Sequence, residues 1–230
     1  QIRGYKRPKG CKNVRIEHNL IKFNLMEPLI SCLCPTKNHP KVVIEAIVDF
    51  KQQSYANKEL ILVTDEKSEY IEFLKYFECD NIKLFLAPHK STIGTLRNIS
   101  VEKAQGEYVA TWDDDDGHHR DRLKLQYAKI VSSGKKACYL KKVLVHDTIT
   151  NEKGISKDWR GMEASMLSLK SIMPQYDITK GIAEDTPVKQ FHFQNQHAIL
   201  IDEPQLYVYR FHSDNTCKRE HLLNIIDTII

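Results

Sequence analysis

No stretch of these 230 residues is long and apolar enough to cross a bilayer; every hydrophobic run falls short of the ~20 residues a span needs. A secretory leader pattern is missing as well, and the chain opens on Gln1. There is no glycine-rich phosphate loop of the Gly-x4-Gly-Lys-Ser/Thr kind. Internal repeats and low-complexity tracts are absent. The six cysteines, Cys11, Cys32, Cys34, Cys79, Cys138 and Cys217, match no zinc framework, because Cys32-x-Cys34 lies in a strand-like run without a second pair. Free buried thiols in a reducing, cytoplasmic setting are the expectation.

Acidic charge is scarce at the start. Residues 1–15 hold Arg3, Lys6, Arg7, Lys9, Lys12 and Arg15 and no acid. Taking those six charges from the formal net charge of +4 leaves −2 on the remainder. A mildly acidic body argues against nucleic acid as a partner. Residues 1–27 read as a basic arm or linker, solvated or resting on phosphates or an anionic membrane surface. With 41% apolar and 28% charged residues, the rest suits an ordinary globular domain over 28–230.

What is present begins with a short, nearly continuous apolar run at residues 29–34, as expected of a strand covered on both faces. Pro35 ends it, Asn38 can cap a helix, and Val42, Val43, Ala46, Ile47 and Phe50 recur at helical spacing. Residues 60–63 predict a second strand ending at Thr64-Asp65, and Ile71, Leu74 and Phe77 a short helix. A third strand over 82–86 precedes a helix through Ile93, Leu96, Ile99 and Ala104, closed by Gly106; Tyr108 to Trp112 is a fourth strand. Strands alternating with helices indicate βαβ units and a Rossmann-like layered α/β domain. The later chain is less regular. It predicts a helix over 120–131, a strand over 138–145, an ambiguous apolar segment at 162–169, a helix over 184–193, one or two strands in 197–210 and a terminal helix over 220–230. Both halves are expected to share one sheet.

Four consecutive aspartates, Asp113 to Asp116, follow the fourth strand. Adjacent carboxylates repel one another and are costly to desolvate, so a hard divalent cation is a natural counter-charge; a solvated acidic turn is the plainer alternative. Ligands of open α/β sheets bind beyond the carboxyl ends of the strands, which is where Asp65 and this run fall.

Further motifs occur in order: Pro35-Thr36-Lys37-Asn38 after the first strand, Asp65 after the second, Gly94-x-x-Arg97-Asn98 and Gly106-Glu107-Tyr108 ahead of Trp112-Asp113-Asp114-Asp115-Asp116, then Gly181-Ile182-Ala183-Glu184-Asp185, and Tyr209-Arg210-Phe211-His212 with Asn215-Thr216. Together they resemble the family-2 glycosyltransferases of GT-A fold, with Asp113–Asp116 in the place of the Asp-x-Asp motif, across residues 28–216. Two positions depart from the pattern: Thr64-Asp65-Glu66-Lys67-Ser68 lacks a second aspartate and a glycine, and Arg120 stands where a proline is common.

The resemblance implies a three-layer fold with a mostly parallel central sheet, a nucleotide-binding half at 28–116 and an irregular acceptor-binding half at 117–230. It implies metal-dependent, inverting transfer of a sugar from a nucleotide sugar, above all a UDP-sugar, to a hydroxyl on a glycan, a lipid-linked glycan or a protein side chain. Asp185 is then the catalytic base, with Glu184 tuning it or orienting the acceptor, or the two form an acidic helix start. Asp115 is the leading ligand of Mn²⁺ or Mg²⁺, with Asp113 beside it or facing the ribose, and His212 as a further metal contact or a structural histidine. Asp114 and Asp116 need not both ligate, since neighbouring strand residues point opposite ways. Thr36, Asn38, Asp65 and Arg97 would line the nucleotide pocket, with Arg97 contacting the base or helping to hold the acidic cluster, although Asn38 can simply cap its helix, Asp65 serve a turn or helix cap and Arg97 form a surface ion pair. Trp159 offers a stacking face to the acceptor or belongs to the core, and His118 and His119 read as loop residues. Metal-dependent phosphoryl transfer and a non-catalytic nucleotide-sugar-binding module are the other classes consistent with these residues. The apolar stretch Leu222–Ile230 calls for a partner surface, in a homo-oligomer or a larger protein.

Overall fold

The computed structural model describes residues 27–37, 40–66, 68–213, 215 and 219–230. The basic arm, Asn38, Cys11, Cys217 and Thr216 lie outside them. The first half runs β1 (Ile30–Pro35), α1 (Pro40–Gln52), β2 (Lys58–Thr64), α2 (Ser68–Lys75), β3 (Ile82–Leu86), α3 (Ile93–Lys103) and β4 (Tyr108–Thr111). It continues with β5 (Gly117–His118), α4 (Arg122–Ser133), β6 (Ala137–Leu140), β7 (Leu144–Asp147), β8 (Glu152–Ser156) and β9 (Leu167–Leu169). The last elements are α5 (Thr186–Gln194), β10 (Ala198–Ile201), β11 (Tyr207–Phe211), α6 (Arg219–Ile225) and β12 (Ile226–Ile229).

Every residue of β1 is buried, because alternate side chains enter two different cores. Cys32 and Cys34 pack with Leu60 and Leu62 against Val43 and Phe50 of α1, Leu74 of α2 and Leu123 of α4. Leu33 points the other way and joins Ile61 and Val63 against Leu96 of α3 and Val188 of α5. That double covering is why the run is continuously apolar. A seven-stranded sheet of order β10-β6-β9-β4-β1-β2-β3 forms the middle layer. Its β4-β1-β2-β3 block and its β10-β6 pair are parallel, while β9 lies antiparallel between β4 and β6.

The second half departs from the single shared sheet expected of it. It contributes β6, β9 and β10 to the large sheet but builds a second one, β12-β8-β7-β11-β5, with its own core around Leu140, Val145, Leu206, Tyr207 and Phe211. The predicted strand over 138–145 is broken after Leu140, so that β6 and β7 serve different sheets; the 197–210 segment divides likewise into β10 and β11. The predicted terminal helix stops at Ile225, and Ile226–Ile229 pairs antiparallel with β8. Of the thiols, Cys32, Cys34 and Cys138 are buried as expected, whereas Cys79 is exposed. Among the described residues no helix is long and apolar enough to cross a membrane.

Arg122 ties the two sheets together, and its side chain is wholly buried. Its guanidinium donates to Thr111 O (2.9 Å) and to Ala164 O (3.3 Å), and lies 2.6 Å from His118 Nδ1. It sits over the rings of Trp112 and Tyr207, at 5.4 and 5.0 Å. His118 is therefore no loop residue. It belongs to β5, is buried, and stacks on Trp112 with ring centroids 3.8 Å apart.

Gly106 has a different task from the helix cap expected of it. Helix α3 ends at Ala104, whose N–H donates to Ser100 O. Gly106 instead lies against β1 and donates its N–H to Ser31 Oγ at 2.8 Å. A Cβ there would stand 2.6 Å from Leu29 O and 2.8 Å from Ser31 N, both backbone atoms. Gly106→Ala is expected to lower the unfolding free energy by about 1–3 kcal/mol, the cost of overpacking a close contact. Urea denaturation measures it, and an unchanged midpoint would refute this account.

Candidate active site

The acidic run leaves the carboxyl end of β4 and opens into a cleft of about 810 Å³. Its walls include Thr36 and Lys37 after β1, Arg97 of α3, Asp113–Asp116, Trp159, Glu163, the 181–186 segment, Tyr209 and His212. Each of the four aspartates finds a partner on a different element.

Asp113 Oδ1 pairs with Arg97 Nη2 at 2.9 Å. The same guanidinium donates from Nε to Glu184 Oε1 at 2.9 Å, so Arg97 is a buried clamp between the acidic run and the Glu184-Asp185 segment, not a surface ion pair. Its Nη1 is buried without a hydrogen-bond partner. Burial raises Asp113 above its ordinary value, against the pull of Arg97. Asp114 Oδ2 accepts from Thr36 Oγ1 at 2.5 Å, and Thr36 is also 2.5 Å from Tyr70 OH. Burial and the charge of Asp115 push Asp114 up to about 7. Asp115, the most open of the four, faces His212 Nε2 at 3.3 Å. Asp116 is 3% exposed; it accepts from the Tyr207 hydroxyl and, at 2.8 Å, from the Arg210 N–H.

Asp185 stands at the N-cap of α5, with Pro187 in the first turn, but its side chain makes no capping hydrogen bond. Its carboxylate is therefore not spent on the helix start. Burial raises it to about 6; Arg97 opposes the shift, while Glu184, Glu163 and Asp113 add to it. Ala183 just before the pair takes a left-handed φ of 61°, unusual for a residue with a Cβ.

Asp65 lies off this cleft, in a neighbouring pocket of about 340 Å³ with Glu66, Ile71, Leu86 and His89. Lys37 bridges the two, since its Nζ is 3.3 Å from Asp65 Oδ1 and donates to Ser91 O at 3.0 Å. Asp65 Oδ1 is buried with no hydrogen-bond partner. Trp159 lines the cleft and also packs against the core of the second sheet. Asn38 falls outside the described residues.

Sequence reasoning missed Lys37, Tyr209 and Glu163 on the cleft wall, the last paired with Lys189 at 2.5 Å. Lys37 sat inside a quoted motif. Glu163 was a lone acid in an apolar segment, which was the available signal. Among the described residues no three His, Cys, Asp or Glu groups form a ready-made cation cage. Asp115 and His212 are the predicted metal contacts that meet; Asp113 is turned to Arg97 instead.

These features can be set beside known proteins. The family model described as "Glycosyl transferase family 2" matches residues 31–194. An "Uncharacterized glycosyltransferase" of Haemophilus influenzae is 36% identical over 102 residues, covering 43% of this chain and 41% of that protein. The Escherichia coli protein named UDP-Glc:alpha-D-GlcNAc-diphosphoundecaprenol beta-1,3-glucosyltransferase WfgD is 26% identical over 106 residues, 46% of this chain and 42% of its own length. The chain thus spans less than half of either relative. In fold it resembles S. aureus TarS 1-349, solved in complex with UDP-GlcNAc, with a TM-score of 0.70 at 16% identity over 81% of this chain and 59% of that one. The layered architecture is that of the GT-A glycosyltransferases. Since the family model takes in β1 through the last turn of α5, including the acidic run and the Glu184-Asp185 pair, the chain belongs to glycosyl transferase family 2.

Proposed function

We propose that this chain transfers a sugar, with inversion, from a UDP-sugar to an acceptor hydroxyl, using Asp185 as general base and a divalent cation held by Asp115 and His212. The observation that carries the reading is the uncommitted carboxylate of Asp185. It is half-buried near Arg97, raised to about 6, and lines the same cleft as the acidic run. A base poised just below neutral pH is ionised when it meets its substrate, yet basic enough to take a hydroxyl proton.

The donor's uridine belongs near Asp65 and Lys37, where Asp65 Oδ1 lacks a hydrogen bond that a base or ribose donor can supply. The nucleotide-binding half is then 28–116 and the acceptor-binding half 117–230. WfgD is named for a UDP-sugar donor and TarS was solved with one, which supports the choice of uridine. Asp115 and His212 suit Mn²⁺ or Mg²⁺, because such ions need few protein ligands when they keep waters and take phosphate oxygens. When bound, the ion supplies positive charge against the leaving diphosphate. Arg97 meanwhile holds Asp113 and Glu184 apart, which fixes the distance between donor and acceptor sides. Asp185, on the acceptor side, takes the proton of the attacking hydroxyl as its oxygen closes on the anomeric carbon from the face opposite the diphosphate. The acceptor is a glycan, a lipid-linked glycan or a protein side chain, with Trp159 available for stacking against a sugar ring.

A screen of nucleotide sugars, read by release of nucleoside diphosphate, is expected to select UDP-sugars and to lose the signal when a chelator removes divalent ions. Release that ignores the chelator would exclude the metal reading. Asp185→Asn is expected to lower kcat at least ~100-fold, the usual share of a general base, while UDP binding by calorimetry is retained. Near-normal turnover by that variant would remove Asp185 from its role. Because the base acts ionised, kcat/KM should be full above its titration and fall about tenfold per pH unit below about 6. A pH profile flat from 7 down to 5 would contradict it.

A further inference from the structure

We infer that Asp116, the last of the four aspartates, is a positioning residue for His212: it holds β11 so that the imidazole reaches Asp115. The inference rests on the reading of Asp115 and His212 as the metal pair. Asp116 itself is poorly placed to ligate, being 3% exposed with both carboxylate oxygens engaged. Both engagements are to β11. One oxygen takes the hydroxyl of Tyr207 at the start of that strand, and the other takes the Arg210 N–H near its end.

The local pairing explains why a side chain is needed there. Strand β5 pairs with β11 only through Gly117↔Val208 and His118↔Tyr207. The preceding residues are the acidic run, which turns into the cleft, so the ladder ends at Gly117. The Asp116 carboxylate takes the ladder's place and binds the next stretch of β11 through the Arg210 N–H. On its other edge β11 pairs with β7 from Val208 to Phe211, and Thr148 extends that side, its N–H and Oγ1 both donating to Phe211 O at 2.9 and 2.8 Å; Asp116 is what holds the edge facing the cleft. His212 follows at once, with its own N–H donating to Asn215 Oδ1 and its Nε2 3.3 Å from Asp115. Asp115 and Asp116 thus share the two halves of one job: the first faces the cation and the second fixes the element that carries the other ligand. Partners of this kind, one bond removed from the ligands, typically change metal affinity 10–100-fold when removed.

Mn²⁺ binding in the presence of UDP, measured by electron paramagnetic resonance of free Mn²⁺, tests this without turnover. Asp116→Ala is expected to raise the Mn²⁺ Kd at least ~10-fold. His212→Ala should do the same, and the double variant no more than either alone, because both act through one imidazole. Tyr207→Phe keeps the packed ring, removes one of the two bonds, and should weaken Mn²⁺ in the same direction only while His212 is present; it carries the test where Asp116→Ala fails to fold. An unchanged Kd in both Asp116→Ala and Tyr207→Phe would overturn the inference, as would losses that multiply in the double variant. Failure of the unsubstituted chain to bind Mn²⁺ would instead overturn the metal reading beneath it, and the inference with it.

Discussion

Four carboxylates in a row at the end of a buried strand cannot share one counter-charge, and that constraint organises this molecule. The run turns between β4 and β5, so its side chains diverge and the compensation has to come from several directions at once. It comes from the end of β1 through Thr36, from α3 through Arg97, from β11 through Tyr207 and the Arg210 N–H, and from the segment after β11 through His212. Those partners come from the large sheet, a covering helix and the second sheet. The acidic run is therefore the point where the large sheet, its covering helices and the second sheet meet.

Beneath that point the apolar stack is equally committed. Arg122 is a buried cation with no carboxylate in direct contact among the described residues. It is held by two carbonyls, Gln126, His118 and the faces of Trp112 and Tyr207. Burial and the adjacent Arg122 keep His118 well below its ordinary value, so the pair does not carry two positive charges. The guanidinium then serves as a fixed positive floor under the acidic run, and Asp113 and Asp116 are among the charges that act on it.

The first half of the fold was legible because its signals are local. Residues in β1 and β2 are apolar on both faces, α1 and α2 keep helical spacing, and the order of elements leaves little choice of topology. The acidic run, Asp65 and Thr36 could be placed at strand ends, and Arg97 on α3, for the same reason. The second sheet was illegible because its strands, apart from β7 and β8, are not joined to sequence neighbours: β5 pairs with β11, which lies about ninety residues later, and β12 closes on β8. Periodicity does not encode such pairings. His118 was misread for a related reason, since its burial depends on Tyr207 and Arg122 and not on the polar residues beside it.

The distribution of charge also separates two roles that the sequence ran together. Arg97 touches both Asp113 and Glu184 and so bonds directly to the acidic run and to the Glu184-Asp185 segment. A lysine could not do this, because only a guanidinium presents donors in two directions from one rigid plane. With Arg97 pairing Asp113 and Glu184, Thr36 holding Asp114, and Tyr207 and the Arg210 N–H holding Asp116, the two carboxylates left are Asp115, which faces an imidazole, and Asp185, which lines the cleft. Those two lie on opposite sides of the clamp. One is suited to a cation and the other to a proton, and the separation follows from where a single buried arginine spends its hydrogen bonds.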